Sequence, residues 1–316
     1  MDYRNEEHPY LSIVIPLFNE EASLQPLSEE LETVLKVLQR PYEIILVDDG
    51  STDSSFAMLQ RLHDSDPARI RLIRFRRNFG KTAALSVGFK RARGEVIVTM
   101  DADLQDDPHE IPNLLLKLNE GYDLVVAWRE RRQDPPSKTL PSRVFNGVVA
   151  ALTGIKLHDF NCGFKAYQVQ VVRELKLYGD LHRFIPVLAY WQGFSIAEVP
   201  VAHRPRQFGQ SKYGWQRYMR GLVDFLVVLF LTRYLRHPLQ LFGTLGAISF
   251  IIGIILGLYL TYLRLFGPGI GWRPALFLDI LAIIVGVQFV SIGLLGEMLR
   301  NFAYRSEDEY SVRTEL

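Results

Sequence analysis

Two carboxylates separated by one residue, Asp101 and Asp103, follow a short apolar run at residues 94–100. A β-branched run of this kind is typical of a buried strand, so both acids are expected where a strand ends. Such closely spaced negative charges are compatible with a bound divalent cation and a diphosphate. Magnesium-class ions bind through one or two carboxylates together with substrate phosphates. The pair therefore predicts a site for Mg²⁺ or Mn²⁺ beside a diphosphate.

A second pair of acids, Asp48 and Asp49, directly follows the apolar run at residues 43–47. The first apolar run of the chain ends at Pro16 and is followed by Glu20. Carboxylates at strand ends accept hydrogen bonds from ribose hydroxyls. These residues are therefore expected to line a nucleotide crevice.

The segments that carry these acids alternate between strand and helix patterns. Strands are expected at residues 11–16, 43–47, 70–75, 94–100, 122–127 and 195–199, and helices at residues 23–38, up to about 63, and 82–92. Strands separated by long helices favour an α/β fold with a mostly parallel sheet. Ligands bind such sheets beyond the carboxyl ends of the strands, which is where both acid pairs fall.

Four ordered motifs resemble those of glycosyltransferase family 2, whose members are inverting enzymes with a GT-A-type nucleotide-sugar-binding domain. The motifs are SIVIP with the following Asn-Glu (12–20), VDDGSTD (47–53), RNFGK (77–81) and MDADLQDDP (100–108). The resemblance covers about residues 10–215. Two apolar C-terminal segments narrow the resemblance to one group within this family, the polyprenyl-phosphate glycosyltransferases. These include the dolichyl-phosphate mannose synthase group and bacterial relatives that transfer glucose or aminoarabinose.

The resemblance implies roles for the donor side of the site. Asp101 and Asp103, with Gln105, would hold the metal. The residues expected to bind the nucleotide-sugar are Pro16, Glu20, Asp48, Asp49, Lys81, Asp101, Gln105, Arg206 and Lys212. UDP-glucose is the favoured donor, followed by donors of mannose, N-acetylated sugars and modified arabinose.

The resemblance also implies an acceptor side. Arg129 and Arg143 would hold the phosphate of a polyprenyl phosphate, since a guanidinium group meets phosphate oxygens bidentately. Asp159 completes the expected catalytic set with Asp101 and Asp103, either as a base or as a group that positions the acceptor. The acceptor phosphate would attack the anomeric carbon and displace the nucleoside diphosphate.

The C-terminal third has the composition of a membrane anchor. Residues 239–263 carry no charge, and residues 275–299 carry only two acids. Each segment exceeds the length of about 20 apolar residues that a helix needs to cross a bilayer. The expected parts are a catalytic GT-A-type domain at 1–215, an amphipathic juxtamembrane helix at 216–238, a two-helix transmembrane hairpin at 239–299 and a tail at 300–316.

Basic residues flank the outer ends of the hairpin more densely than its connecting loop, which predicts that both termini and the catalytic domain are cytoplasmic. The polar N-terminus does not have the pattern of a signal peptide. Gly253 and Gly257 form a small-residue pair that can pack helices closely or support a homo-oligomer.

Composition argues against other classes. With 36 basic and 35 acidic residues, the chain lacks the basic excess expected of a nucleic-acid partner. Its single cysteine, Cys162, excludes an intramolecular disulfide and is expected to be a packed structural residue.

Three alternatives share some of these features. A processive polysaccharide synthase would need a Gln-x-x-Arg-Trp signature and more membrane spans. A family 2 transferase with a different acceptor, such as protein or lipopolysaccharide, would use the hairpin only as an anchor. A non-catalytic nucleotide-sugar-binding membrane partner would be expected to lack the metal carboxylates, which this chain retains.

Overall fold

The computed structural model contains two compact units, one within Met1–Asp224 and one within Phe225–Leu316. The residues that it describes are 8–129, 146–147, 149–150, 154–155, 157–175, 177, 179, 181–202, 204, 238–267 and 274–303. The predicted amphipathic helix at 216–238 falls outside them except for its last residue. The predicted domain boundaries therefore stay predictions.

The first unit alternates strands and helices, as the sequence predicts. Its strands are β1 (Leu11–Leu17), β2 (Tyr42–Asp48), β3 (Ile70–Arg74), β4 (Val96–Thr99), β5 (Leu124–Arg129), β6 (Lys165–Gln168) and β7 (Ile196–Val201). Its helices are α1 (Glu21–Leu38), α2 (Ser55–Ser65), α3 (Lys81–Arg91), α4 (Ile111–Asn119), α5 (Val169–Glu174) and α6 (Ile185–Trp191), with 3₁₀ turns at Pro108–Glu110 and Leu181–Phe184. The predicted strands and helices are confirmed with small shifts at their ends, whereas β6, α4, α5 and α6 were not predicted.

The strands form one seven-stranded sheet in the order β3-β2-β1-β4-β6-β5-β7. The pairs β1–β2, β1–β4, β2–β3 and β5–β7 are parallel, which confirms the predicted mostly parallel sheet. Strand β6 runs antiparallel to both of its neighbours, β4 and β5. Its first residue, Lys165, therefore lies at the edge of the sheet where the other strands end.

The core of this unit lies between the sheet and its helices. All seven residues of β1 are buried, as expected of a strand covered on both faces. Helix α3 packs unusually close to β1, because a Cβ atom on Gly88 would lie 2.3 Å from Cγ1 of Val14. This close packing fixes the start of α3, and with it Lys81, near the carboxyl edge of the sheet.

The second unit contains two helices, α7 (Pro238–Phe266) and α8 (Pro274–Ala303). Both are long and apolar enough to cross a membrane, and only 11% of the most apolar stretch of each is buried. The helices cross closely at Gly246 and Gly286, where a Cβ atom on Gly246 would lie 2.7 Å from the carbonyl oxygen of Gly286. Gly253 likewise packs against Ile283, so the predicted small-residue pair packs the hairpin itself. The homo-oligomer and the orientation of the termini stay predictions.

Candidate active site

The turn after β4 carries the predicted metal carboxylates and is held by side chains of its own. The backbone N–H of Asp101 donates to Oδ2 of Asp106 at 3.1 Å, and the N–H of Gln105 donates to Oδ1 of Asp103 at 3.2 Å. Leu104 has a φ of 60°, in the left-handed region that costs a non-glycine residue energy. Because the buried Leu104 side chain and these hydrogen bonds hold that conformation, the turn presents its carboxylates in a defined arrangement.

Lys81, the first residue of α3, forms an ion pair with Asp101. Burial alone would lower the pKa of Lys81, but the Asp101 carboxylate beside it raises the pKa above its usual value. Burial alone would likewise raise the pKa of Asp101, but the Lys81 ammonium holds it below its usual range. Both groups are therefore charged at neutral pH. Both residues were predicted from the sequence as site residues, and the structure brings them together.

Asp106 lies in the same cluster, although sequence reasoning did not single it out. It is 6% exposed, and burial together with the negative charge of Asp101 raises its pKa to about 7. The Arg129 guanidinium favours its charged form, which limits the rise. Asp106 is therefore less acidic than an exposed aspartate. Its only signal in the sequence is its position in the motif after Asp103.

Arg129 and Asp159 form a buried ion pair at the end of β5. Nε of Arg129 donates to Oδ2 of Asp159 at 2.9 Å, and a terminal guanidinium nitrogen lies 2.8 Å from the same oxygen. The Asp159 side chain is 1% exposed. The positive charge of Arg129 acts on both Asp101 and Asp106, so this pair adjoins the carboxylate turn. The structure thus joins a predicted acceptor residue to a predicted catalytic one.

The loop before β6 also lies next to the carboxylate turn, because Gly163 adjoins Asp101. Nζ of the buried Lys165 donates to the carbonyl oxygen of Cys162, and burial lowers the pKa of Lys165 to about 8. Burial raises the pKa of the Cys162 thiol to about 12. A thiol protonated at neutral pH is a poor nucleophile, so Cys162 is a packed residue, as predicted. Lys165 was not predicted, because a lone lysine carries no pattern in the sequence.

Asp48 has a structural role in the turn after β2, and its predicted contact with the donor stays a prediction. The residue is fully buried, and its Oδ1 accepts from the N–H of Ser51 at 2.8 Å. Its Oδ2 lies 3.3 Å from Nε of Arg74. The carboxylate therefore shapes the turn after β2.

Asp49 organises the loop that leads into α3. Its two oxygens accept from the backbone N–H groups of Phe79, at 2.7 Å, and Gly80, at 2.9 Å. Burial raises the pKa of Asp49, and the two N–H donors oppose that rise. Asp49 thereby holds Gly80 in place, and with it Lys81, the next residue in the chain. Its predicted contact with the nucleoside stays a prediction.

The other predicted donor residues lie at the same edge or outside the described residues. Pro16 is buried within β1, opposite Val47 of β2. The N–H of Glu20 donates to Oγ of Ser55 at 2.9 Å, which ties the loop after β1 to the start of α2. Predicted residues Arg143, Arg206 and Lys212 lie outside the described residues.

Arg204, which sequence reasoning missed, fastens the carboxylate turn to α1. Its N–H donates to the carbonyl oxygen of Gln105 at 3.2 Å, and its guanidinium lies 2.8 Å from the carboxylates of Glu30 and Asp107. Glu30 and Asp107, with His109, form a cluster whose ligand atoms are close enough to hold a metal ion. Since the Arg204 guanidinium already pairs with both acids, the cluster is a structural ion-pair network.

The carboxylate turn has the chemistry that a magnesium-class ion needs. Asp101 and Asp103 offer hard oxygen ligands, and Gln105 adjoins them in the same turn. Gly163 leaves room beside this group, because a Cβ atom there would lie 2.9 Å from both carboxylate oxygens of Asp101. Among the described residues, the cluster contains the four carboxylates Asp101, Asp103, Asp106 and Asp159 against the three cationic side chains Lys81, Arg129 and Lys165. An incoming diphosphate would add further negative charge, so the residues present fit a divalent cation.

Gly163→Ala is expected to push the Asp101 carboxylate out of place. We expect kcat/KM to fall roughly 10- to 100-fold, because misplaced catalytic groups typically lower rates by this much, and the metal concentration for half-maximal activity to rise. Steady-state assays across a Mg²⁺ titration measure both. The matched control is Gly147→Ala, where the new methyl group would have nothing within 4 Å. Unchanged metal dependence in the Gly163 variant would show that Asp101 is not a metal ligand.

The sheet and its carboxyl-edge site define a GT-A-like α/β domain. The model of the family described as glycosyl transferase family 2 matches residues 12–176. The chain belongs to this family, which confirms the resemblance inferred from its motifs.

Curated relatives match along nearly the whole chain. One is the dodecaprenyl-phosphate galacturonate synthase of Rhizobium johnstonii, which is 38% identical over 302 residues, covering 94% of this chain and 89% of that protein. Another is the undecaprenyl-phosphate 4-deoxy-4-formamido-L-arabinose transferase of Klebsiella pneumoniae, 36% identical over 291 residues, covering 92% and 88% respectively. The relatives are thus named as polyprenyl-phosphate sugar transferases.

Solved structures show the same fold at lower identity. Glucosyl-3-phosphoglycerate synthase from Mycobacterium tuberculosis, in complex with Mn²⁺, UDP and phosphoglyceric acid, matches with a TM-score of 0.57 and 18% identity over 71% of this chain and 78% of that chain. The same enzyme with Mg²⁺ and UDP matches with a TM-score of 0.55 and 18% identity over 71% and 79%. This likeness concerns the fold.

Proposed function

We propose that this protein transfers a sugar from a nucleotide-sugar to a polyprenyl phosphate, with inversion at the anomeric carbon. The observation that carries the proposal is the position of the Arg129–Asp159 ion pair beside the carboxylate turn, at one edge of the sheet. A cationic group that would bind an acceptor phosphate thus lies next to oxygen ligands for the metal ion that would bind the donor diphosphate. The names of the relatives support a polyprenyl phosphate as that acceptor.

On the donor side, Asp101 and Asp103 would hold Mg²⁺ or Mn²⁺, with Gln105 as a further ligand. A divalent ion there supplies a Lewis acid that neutralises charge developing on the departing diphosphate. Lys81 lies against Asp101 and adds a second positive charge at the same place. The titles of two solved structures with this fold, which contain Mn²⁺ or Mg²⁺ with UDP, support the choice of metal.

On the acceptor side, Arg129 would orient the lipid phosphate. A phosphate oxygen attacks the anomeric carbon while the bond from that carbon to the nucleoside diphosphate breaks. A phosphate monoester is largely ionised at neutral pH, with a second pKa of about 6. It therefore needs orientation and charge screening more than it needs a base. Asp159, already paired with Arg129, acts as a positioning group in this scheme.

The sugar is proposed to be an acidic or modified one, which departs from the first expectation of glucose. The relatives are named for galacturonate and for 4-deoxy-4-formamido-L-arabinose, and neither name specifies glucose. Helices α7 and α8 would anchor the protein in the membrane that holds the lipid. The proposed orientation places both termini and the catalytic unit in the cytoplasm.

The test is a donor panel with the purified full-length protein in detergent. Undecaprenyl phosphate, Mg²⁺ or Mn²⁺, and labelled UDP-galacturonate, UDP-4-deoxy-4-formamido-L-arabinose or UDP-glucose are combined in turn. Label is expected in the organic phase with one of the first two donors, and EDTA is expected to abolish it. Transfer from none of these donors, or equal transfer without undecaprenyl phosphate, would contradict the proposal.

A further inference from the structure

Glu198, on β7, holds the segment that carries Asp159. Its Oε1 accepts from the backbone N–H of His158 at 2.7 Å and from that of Asp159 at 3.0 Å. Its Oε2 lies 2.8 Å from Nδ1 of His158. The Glu198 side chain is 12% exposed, whereas that of His158 is 65% exposed. The Glu198 carboxylate thus holds two successive backbone N–H groups and the imidazole ring of His158.

These contacts lie on the opposite face of the sheet from the ion pair. Glu198 is paired with Val126 in register, and side chains alternate along β5, so Val126 and Trp128 share one face while Arg129 is on the other. The Trp128 ring stacks on the His158 ring at a centroid distance of 4.1 Å and an interplanar angle of 18°. Trp128 and Glu198 therefore hold His158 in place, while the side chain of Asp159 contacts Arg129.

We propose that Glu198 is a positioning residue for sugar transfer, because it sets the place of Asp159 and, through it, the direction of the Arg129 guanidinium. The inference rests on the function proposed above. Glu198 touches neither reacting group, so its contribution is geometric. Its length and its hydrogen-bond acceptors matter, and its negative charge is secondary.

Two substitutions separate geometry from charge. Glu198→Gln keeps the length, and its amide oxygen can still accept both backbone N–H groups while the amide nitrogen donates to Nδ1 of His158. Glu198→Asp keeps the charge but is one methylene shorter, so the Asp159 segment must shift to keep its hydrogen bonds. A geometric role predicts that the Gln variant is close to wild type and that the Asp variant is impaired. A charge role predicts the reverse.

The experiment measures kcat and KM for undecaprenyl phosphate, donor binding by calorimetry with UDP and Mg²⁺, and thermal unfolding, all with the full-length protein in detergent. In Glu198→Asp, kcat/KM for the acceptor is expected to fall ~10- to 100-fold, the range for displaced catalytic groups, while UDP affinity changes less than about 2-fold. Glu198→Gln is expected to remain within about 3-fold of wild type in both. The control is Glu120→Asp, at an exposed ion pair with Lys117, which is expected to change neither value.

Wild-type acceptor kinetics in the Asp variant, or an equal loss in the Gln and Asp variants, would overturn the inference. Parallel loss of UDP affinity and melting temperature in the Asp variant would also overturn it, since that result indicates general destabilisation. These outcomes leave the proposed function intact, because wild-type transfer is measured first. Absence of transfer by the wild-type protein from every donor would instead overturn both.

Discussion

Asp103→Asn is expected to lower kcat for sugar transfer by about 100-fold or more, because a metal-bound carboxylate supports several kcal/mol of charge stabilisation and each 1.4 kcal/mol is tenfold in rate. The substitution removes one negative charge and keeps the shape of the side chain. The amide oxygen can still accept from the N–H of Gln105, so the turn is expected to stay folded. Single-turnover transfer at saturating donor and Mg²⁺ measures the effect on the chemical step.

The matched control for this variant is Asp64→Asn, since Asp64 is an exposed residue on α2. We expect wild-type kcat in the control and equal melting temperatures for both variants. Raising the Mn²⁺ concentration is expected to recover part of the lost activity in Asp103→Asn and none in a variant that is merely unfolded. Full activity of Asp103→Asn at low metal concentration would show that the turn after β4 does not hold the ion.

Arg129→Ala is expected to lower the free energy of unfolding by about 3–5 kcal/mol, because it removes the guanidinium that pairs with the buried Asp159 carboxylate. Transfer to polyprenyl phosphate is also expected to fall below detection. Denaturant unfolding of the protein in detergent, followed by tryptophan fluorescence, measures the stability. The exposed pair of Arg69 and Asp66 provides the control: Arg69→Ala is expected to cost at most about 1 kcal/mol.

A double variant, Arg129→Met with Asp159→Leu, separates stability from activity. Replacing a whole buried ion pair with apolar side chains is often neutral or stabilising, so the double variant is expected to recover most of the stability lost in Arg129→Ala. Its transfer activity is expected to stay absent, because the Arg129 guanidinium that would orient the acceptor is missing. Recovery of transfer along with stability would show that the ion pair is structural and that the acceptor binds elsewhere.

The sheet and the carboxylate turn were predictable because their signals are local. The strands predicted at residues 11–16 and 43–47 are apolar, β-branched runs, and Asp101 and Asp103 directly follow a similar run. Strand β6 (KAYQ) lacks that signal, since it has four residues and none of them is β-branched. Its reversed direction depends on pairing with β4 and β5, which are distant in the chain. Local patterns do not contain that information.

Glu198 and Arg204 were missed because their partners are remote in sequence. Glu198 contacts residues 40 and 39 positions away, and Arg204 contacts Glu30 across 174 positions. For Asp48, the position at a strand end predicts a ligand-binding acid. The structure adds contacts with Arg74 and Ser51 that the sequence pattern does not indicate.

The order of the strands has a consequence for how such enzymes diversify. The chain completes β1 to β4 before it crosses to the other side of the sheet, where β5, β6 and β7 follow. The carboxylate turn and the residues before it that are proposed to bind the nucleotide are thereby encoded upstream of α4. Arg129 and Asp159, together with the predicted donor residues Arg206 and Lys212, are encoded downstream of it. A recombination event within the codons for α4 would therefore exchange the acceptor residues while keeping the metal-binding turn. Chimeric genes joined at that helix are thus a direct route to new pairings of donor and lipid.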